Sequence, residues 1–252
     1  MITEERKIRI MEIIRQDGFI SIKQIMSMFD ISRSSAMRDL DELEKQGLIV
    51  RQRGGASIEQ SDVLMSQFNE LSTHDKQYNK REQKKRICKY ASNLIKDGSN
   101  IYIDSGSTVL YLLDYIKDRE VNIITPNTVL LSYIPNDFKG KIILLDGEYF
   151  PKYECVGGTI TGMSILNYHF DYAFLTANGI DFNIQEVSGF VVPFSENKKL
   201  VINRSDHVEL LVDYSKKGIS GLTTWAHFDD FEHIYVDKCE ENEKSNQIII
   251  CE

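Results

Sequence analysis

The chain has 252 residues, with 30 Lys and Arg against 38 Asp and Glu, which gives a formal net charge of -8 and a pI near 5.3. At about 150 residues per domain this length suits one large or two modest domains, and the hydrophobic content of 42% with only 4 prolines excludes a disordered or fibrous chain. No apolar run approaches the roughly 18 residues of a membrane span, the longest being on the scale of Ile142 to Leu145. The start of the chain, Met1 to Lys7, is charged and no apolar signal core follows it, so export is not expected and a cytoplasmic location is. Cys88, Cys155, Cys239 and Cys251 are scattered and read as reduced thiols. The histidines His74, His169, His207, His227 and His233 show no ligand spacing, so neither a metal nor another cofactor is expected.

The net charge argues against a nucleic-acid partner, but its distribution does not. Residues 1 to 55 hold ten basic and nine acidic side chains and net +1, leaving -9 for the remainder. Residues 57–82 are polar and read as a linker, with one marginal helix around Val63 to Leu71. Domains are therefore expected at 1–56 and 83–252.

The first segment reads as three helices and a hairpin. Thr3 caps a helix to Gln16, with Ile10, Ile13 and Ile14 on one face and Gly18 as its stop. Ser21 caps the second helix and forms a capping box with Gln24, ahead of the apolar set Ile22, Ile25, Met26 and Phe29. After a short turn, Ser32 caps a third helix to Gln46, in which Ala36, Leu40 and Leu43 line one face and Gly47 ends the pattern. Leu48-Ile49-Val50, followed by Arg51-Gln52-Arg53-Gly54-Gly55, adds a β-hairpin wing. A helix, a tight turn and a longer helix make a helix-turn-helix, whose second helix enters a DNA major groove by its amino-terminal end. With the apolar face turned inward, Ser32, Arg33, Ser34, Ser35, Met37 and Arg38 face outward there, and Arg51 and Arg53 of the wing track phosphates. Any one arginine alone reads as a solvated surface charge; four converging on one surface read as a DNA face. The acids Asp39, Asp41, Glu42 and Glu44 fall in the carboxyl half of the helix, away from that end.

The second segment alternates short apolar strands with helical stretches. A helix spans about 83–95, and strands are expected at 101–103, 122–124, 141–145, 172–175, 209–212, 233–236 and 248–250. This pattern predicts an α/β fold with a largely parallel sheet, whose ligand crevice lies beyond the carboxyl ends of its strands. Asp104-Ser105-Gly106-Ser107-Thr108 stands at one such end and joins a strand to a helix carrying Leu110, Leu113 and Ile116. Small residues admit an anion to the backbone N–H groups, hydroxyls add donors and the helix dipole favours negative charge. An ordinary helix cap explains this stretch equally well by itself; the further polar strand ends favour a site.

The stretch from Ile31 to Leu40, with Leu43-Glu44, Gly47 and Arg51-Gln52-Arg53-Gly54-Gly55-Ala56, resembles the amino-terminal signature of DeoR-type bacterial transcriptional regulators. Met37 stands in place of the first family Arg, Ala36 in place of a larger aliphatic residue and Arg53 in place of the wing His, so an operator sequence does not carry over from relatives. The resemblance continues through Ile103-Asp104-Ser105-Gly106-Ser107-Thr108, Leu144-Leu145-Asp146-Gly147-Glu148, Phe170 to Leu175, Ala177-Asn178-Gly179-Ile180 and Leu211 to Lys216. It implies a winged helix-turn-helix joined to an effector domain similar in fold to ribose-5-phosphate isomerase and glucosamine-6-phosphate deaminase. By position, Ser105, Gly106, Ser107 and Thr108 would hold the phosphate of a sugar-like effector. Asp104, Thr125, Asn127, Gly147, Asn178, Asp213 and Lys216 would surround the sugar, with Lys198 as a further cation. Asp146 stands where many relatives carry Gly, and Phe194-Ser195 where they more often carry Glu or Ala before the Lys. The implied protein is a repressor of a carbohydrate-related operon, a homodimer or homotetramer on double-stranded operator DNA. The rival reading is a sugar-phosphate isomerase or deaminase-like enzyme, with Asp104, Asp213 and Lys216 as proton-transfer groups. An attached helix-turn-helix favours regulation.

Overall fold

The computed structural model describes residues 6–7, 9–11, 13–14, 19–45, 49–52, 54–57, 73, 76 and 79–252. Its contacts divide the chain into two units, Met1–Ser66 and Gln67–Glu252. Several expected features lie outside the described residues: the cap at Thr3, Gln16 and Gly18, the helix end at Gln46-Gly47, Leu48, Arg53 and the helix near Val63 to Leu71.

In the first unit, helix α1 is described at positions within 6–14, and α2 (Ile22–Phe29) and α3 (Arg33–Lys45) follow in the expected order. Ser21 is extended; its hydroxyl accepts from the Gln24 N–H at 3.2 Å and Gln24 Oε1 accepts from the Ser21 N–H at 2.9 Å, which closes the capping box. Asp30 ends α2 in the left-handed region (φ 49°), and Ser32 Oγ accepts from the Ser35 N–H at 3.2 Å to open α3. The wing forms from β2 (Val50–Gln52) and β3 (Gly55–Ser57). A strand that the sequence reading did not anticipate, β1 (Phe19–Ser21), pairs antiparallel with β3, so the sheet order is β1-β3-β2. Its three residues are too few for a period-2 signal, and pairing selects them by burying Ile20.

Ile10, Ile14, Ile20, Ile25, Ala36, Leu40, Leu43 and Ile49 form the core of this unit, each large side chain contributing on the order of 1.5–3 kcal/mol. One polar pair enters it. Asp39 is buried, and the Arg6 guanidinium of α1 donates to it through Nε (2.7 Å) and Nη2 (3.0 Å). The fork binds both carboxylate oxygens and ties α1 to α3, and the pairing raises the Arg6 pKa further.

In the second unit all seven strands expected from the sequence join one fully parallel sheet. They are β4 (Asn100–Ile103), β5 (Asn122–Thr125), β6 (Lys141–Leu144), β9 (Phe170–Leu175), β12 (Ser205–Leu211), β14 (His233–Val236) and β15 (Ile248–Ile250). The order is β15-β14-β12-β9-β4-β5-β6. The chain winds outward from β4 in one direction and from β9 in the other, which makes the β4/β9 pair the switch point where the crevice of such sheets opens. Two cores cover the faces, one containing Ile87, Ile101, Ile103 and Phe174, the other Tyr102, Phe170, Leu175 and Leu210. Burial on both sides explains why the inner strands read as continuous apolar runs; the edge strand β6 is largely exposed.

Helices α4 (Arg81–Ala91), α6 (Thr159–Ile165) and α7 (Val192–Ile202) pack with this sheet, α4 beginning two residues ahead of the expected start and passing into a 3-10 turn at Ser92. The helix expected after Ser107-Thr108 is instead a 3-10 turn, Val109–Leu112, running into one turn of α-helix, α5 (Leu113–Ile116). Its residues Val109 to Leu113 are all buried, so packing around the whole circumference replaces the one-faced stripe of a longer helix. Short antiparallel pieces complete the unit: the hairpin β7 (Glu148–Phe150) and β8 (Cys155–Gly157), and a sheet β10 (Gly179–Asp181), β11 (Glu186–Gly189) and β13 (Thr223–His227) in the order β10-β11-β13. No helix among the described residues is long and apolar enough to cross a membrane.

Arg6→Ala leaves Asp39 charged and buried without its partner. The substitution is expected to destabilise the first unit by about 3 kcal/mol, read as an earlier loss of its helical signal in denaturant.

Candidate functional site

Two surfaces collect the residues singled out in the sequence. On the first unit, Ser32, Arg33, Ser34, Met37 and Arg38 are exposed at the amino-terminal end of α3, and Ser35 is half-buried. The opposite face, Ala36, Leu40 and Leu43, is buried as expected. Ser32 Oγ caps α3 and contacts the Ser34 and Ser35 hydroxyls at 2.9 and 3.1 Å, so three hydroxyls cluster at the helix start. The acids of α3 are engaged inside the unit: Asp39 by Arg6, Glu42 by Lys7 at 2.5 Å and Asp41 by Arg51. Arg33 and Arg38, by contrast, carry no ion pair among the described residues. Arg51 departs from expectation. Its Nη1 donates to Asp41 and reaches the Met37 carbonyl, and its backbone N–H bonds Glu44, so this side chain braces the wing against α3. Arg53 lies outside the described residues.

The second surface is a cleft at the carboxyl ends of β4 and β9. Ser105, Gly106, Ser107, Thr108, Asn178, Lys198, Asp213 and Lys216 all line it, which brings together eight of the twelve expected effector residues from positions more than a hundred residues apart. Gly106 is required here by close approach: a Cβ would overlap the Thr176 hydroxyl at the end of β9. Asp104 lies just beneath the loop. Its Oδ2 accepts from Lys198 Nζ at 2.8 Å, the Thr176 N–H at 2.9 Å and the Thr176 hydroxyl at 2.5 Å. Lys198 Nζ also donates to the Thr176 carbonyl at 2.5 Å and lies 4.8 Å above the Trp225 ring.

Besides Asp104, three expected residues do not line the cleft, and each has a structural duty. Thr125 is fully buried, its hydroxyl donating to the Ile103 carbonyl at 2.6 Å across the β4/β5 pair. Asn127 is also fully buried; its side chain donates to the Asp104 carbonyl at 3.2 Å and accepts from the Val129 and Leu130 N–H groups at 3.0 and 3.2 Å. Gly147 has φ +145°, and a Cβ there would strike the Thr161 hydroxyl, so it serves the turn into β7. Asp146 is exposed and away from the cleft, which removes the carboxylate its position threatened to set against an anion.

Sequence reasoning passed over Lys84. It stands on α4, is 3% exposed, and donates from Nζ to Ser107 Oγ at 2.9 Å and to the Lys76 carbonyl at 2.6 Å. Burial pushes its pKa down to about 8, partly opposed by Asp213. The charge of the cleft therefore comes from Lys76, Lys198 and Lys216, which line it, and from Lys84 behind Ser107, rather than from a helix dipole, because the 3-10 turn at Val109 is too short to supply one. Lys84 lies in a charged run, Lys84-Lys85-Arg86, that reads as solvated; only the helical phase shared with Ile87, Cys88 and Ala91 hints that it points inward. Thr73, Tyr153, Phe194 and Trp225 also line the cleft. The Thr73 hydroxyl bonds the carbonyls of Tyr153 and Ser105 at 3.0 and 3.4 Å, and Phe194 meets Phe150 and Tyr153 edge-on.

The arrangement suits anion binding. Asp104 is buried with its carboxylate bonded, and Asp213 Oδ1 accepts from the Ser215 N–H at 3.2 Å and from the Ser215 hydroxyl.

Comparison with known proteins agrees with this division. Residues 6–62 match the DeoR-like helix-turn-helix domain, and residues 79–238 match the DeoR C terminal sensor domain. The chain is 30% identical over 238 residues to the glycerol-3-phosphate regulon repressor of Escherichia coli (strain K12), covering 90% of this chain and 88% of that protein. It is 28% identical to the HTH-type transcriptional repressor GlcR of Bacillus subtilis (strain 168), over 94% of this chain and 90% of that protein. With the lactose phosphotransferase system repressor of Streptococcus mutans it shares 27% identity, over 97% and 96% of the two chains. Among solved structures, ribose 5-phosphate isomerase A from Methanocaldococcus jannaschii aligns with a TM-score of 0.40 and 19% identity over 56% of each chain. The three sequence relatives are transcriptional repressors, not enzymes. The chain, with its paired helix-turn-helix and sensor domains, belongs to the DeoR family of transcriptional regulators.

Proposed function

We propose that this chain is a cytoplasmic DNA-binding repressor of a carbohydrate-related operon, controlled by a phosphorylated sugar-like metabolite. The observation that carries the reading is the cleft, where Lys84 bonds Ser107 within the Ser105–Thr108 loop and three further lysines, Lys76, Lys198 and Lys216, line the same space. A phosphate would take the loop's hydroxyl and N–H donors and the Lys84 ammonium, while Asn178 and Lys216 face the sugar hydroxyls. The exposed Arg33 and Arg38 at the start of α3 would read base edges and phosphates of an operator. Residues 1–56 would serve as the reading head, 57–82 as the linker and 83–252 as the sensor. Two heads related by a two-fold axis would engage half-sites one or more helical turns apart. Exposed apolar side chains on β6, β7 and around α6, among them Tyr149, Ile160, Met163 and Leu166, would be available to the second copy of such a homodimer or homotetramer.

A DNA fragment selected by the protein from a random pool provides the operator for testing. Arg38→Ala is expected to weaken its retardation about 10- to 100-fold with the thermal unfolding curve unchanged; wild-type retardation would refute the groove assignment. Ser107→Asp places a carboxylate in the anion loop. DNA retardation is expected to persist in this variant while release or recruitment by sugar phosphates disappears, and a retained response would show that the phosphate binds elsewhere.

Lys84 adds a pH signature. With its pKa near 8 the side chain is charged below that value and neutral above it. Only the charged form attracts a phosphate dianion, so calorimetric affinity for a sugar phosphate is expected to fall as pH rises through about 8. Lys84→Met should weaken binding about 10- to 100-fold at neutral pH and flatten that dependence.

A further inference from the structure

The sheet face that packs against α4 carries a second group of polar side chains, away from the effector cleft. Side chains alternate along a strand, so His207 and Glu209 of β12 share this face with Leu211, and His233 of β14 shares it with Tyr235. All strands run in parallel and the cleft lies at their carboxyl ends. His207 and His233 stand near the opposite, amino-terminal ends of β12 and β14. Glu209 and His233 are register partners, and His233 Nδ1 lies 3.1 Å from Glu209 Oε2. Glu232 is fixed beside them by its backbone N–H, which donates to the Val208 carbonyl at 2.8 Å. One donor atom from each of Glu209, Glu232 and His233 lies within 4.8 Å of the others.

Two features set this group apart from a solvated acidic patch. Glu209 has 0% of its surface exposed, yet among the described residues its ion-pair partner is only the imidazole of His233, with no lysine or arginine. A buried carboxylate without a full cation is costly, and taking up a proton or binding a metal ion relieves that cost. The imidazoles and the second carboxylate are also oriented. His207 bonds Glu232 through Nδ1 and stacks on Tyr172 at 5.1 Å, and His233 lies against Tyr235 at 5.9 Å. Such outer contacts hold metal ligands in place at known sites.

We propose that Glu209, Glu232 and His233 form a divalent transition-metal site, occupied by zinc, with His207 as the positioning residue for Glu232. Donors around tetrahedral zinc at bonds of about 2.0–2.1 Å lie ~3.3 Å apart. The Glu209–His233 separation of 3.1 Å already matches, and a rotation of the half-exposed Glu232 side chain brings in the third donor. Two carboxylates neutralise the ion, the imidazole selects a transition metal over magnesium or calcium, and the exposed side leaves a fourth position for water. Bound there, the ion would clip β12 to β14. The sequence, which led to no expectation of a metal, does not reveal this group, because Glu209 meets Glu232 and His233 only through strand pairing.

The test uses the full chain, stripped with chelator and titrated with zinc chloride by calorimetry, with metal content measured after dialysis. One zinc per chain is expected, and magnesium chloride should give no heat of binding. Glu209→Gln, which preserves shape, and His233→Ala should each abolish the stoichiometric zinc. Glu232→Gln, at an exposed position, does the same without threatening the fold. His207→Ala should keep one zinc per chain while weakening it about 10- to 100-fold, a split that a purely structural role would not produce. Cobalt(II) in place of zinc should show the visible bands of four-coordinate metal, lost in His233→Ala. Less than stoichiometric zinc in the wild type would overturn the proposal. So would undiminished affinity in Glu232→Gln and His233→Ala, which would move the ion to the partly exposed thiol of Cys239 or to other histidines.

Discussion

The carboxylate of Asp104 joins three separate parts of the sensor unit at one point. It follows β4, accepts two hydrogen bonds from Thr176 at the end of β9, and pairs with Lys198 of α7. The two strands it ties together are the ones between which the sheet reverses its winding direction. A buried pair of this kind contributes little net stability, but removing one partner costs about 3–5 kcal/mol, so it specifies an arrangement rather than simply strengthening it. Everything the cleft offers hangs from that arrangement. Ser105 to Thr108 continue from Asp104, Asn178 continues from Thr176, and Trp225 forms the floor beneath Lys198.

Charge is handled in the same way in both units, by spending most of it internally. The head is close to neutral overall, yet Asp39, Glu42 and Asp41 are each taken up by a basic residue of the same unit. What remains at the start of α3 is positive. In the sensor unit, whose sequence is strongly acidic, Lys84 and Lys198 are buried at the cleft while acids such as Asp146 stay outside. An overall charge of -8 thus coexists with two locally cationic surfaces.

Local pattern carried much of this architecture. The Ser21–Gln24 capping box, the face Ala36-Leu40-Leu43 and all seven sheet strands were legible, because capping chemistry and the apolar runs of doubly covered strands depend on residues near in sequence. Apart from the wing, the antiparallel pieces were not. β1 and the strands of the β10-β11-β13 sheet are three to five residues long, and β1 and β13 pair with partners far along the chain. The 3-10 turn after Thr108 was misjudged because complete burial erased the one-sided stripe that marks a helix.

The division at the functional residues has the same cause. Motif, spacing and the family resemblance singled out Arg33, Arg38 and the Ser105–Thr108 loop as candidates, since each lies within one continuous stretch. Tertiary structure decided which polar strand ends reach the cleft and which are spent on the fold: Thr125 and Asn127 turn to backbone carbonyls and N–H groups, and Arg51 to Asp41. It also recruited Lys84 from a run of apparently solvated charge and set Glu209 against His233. Burial and cross-strand pairing determine the state of a polar side chain. Both are properties of residues distant in sequence, so the chain's linear order fixes the candidates and only their packing assigns the roles.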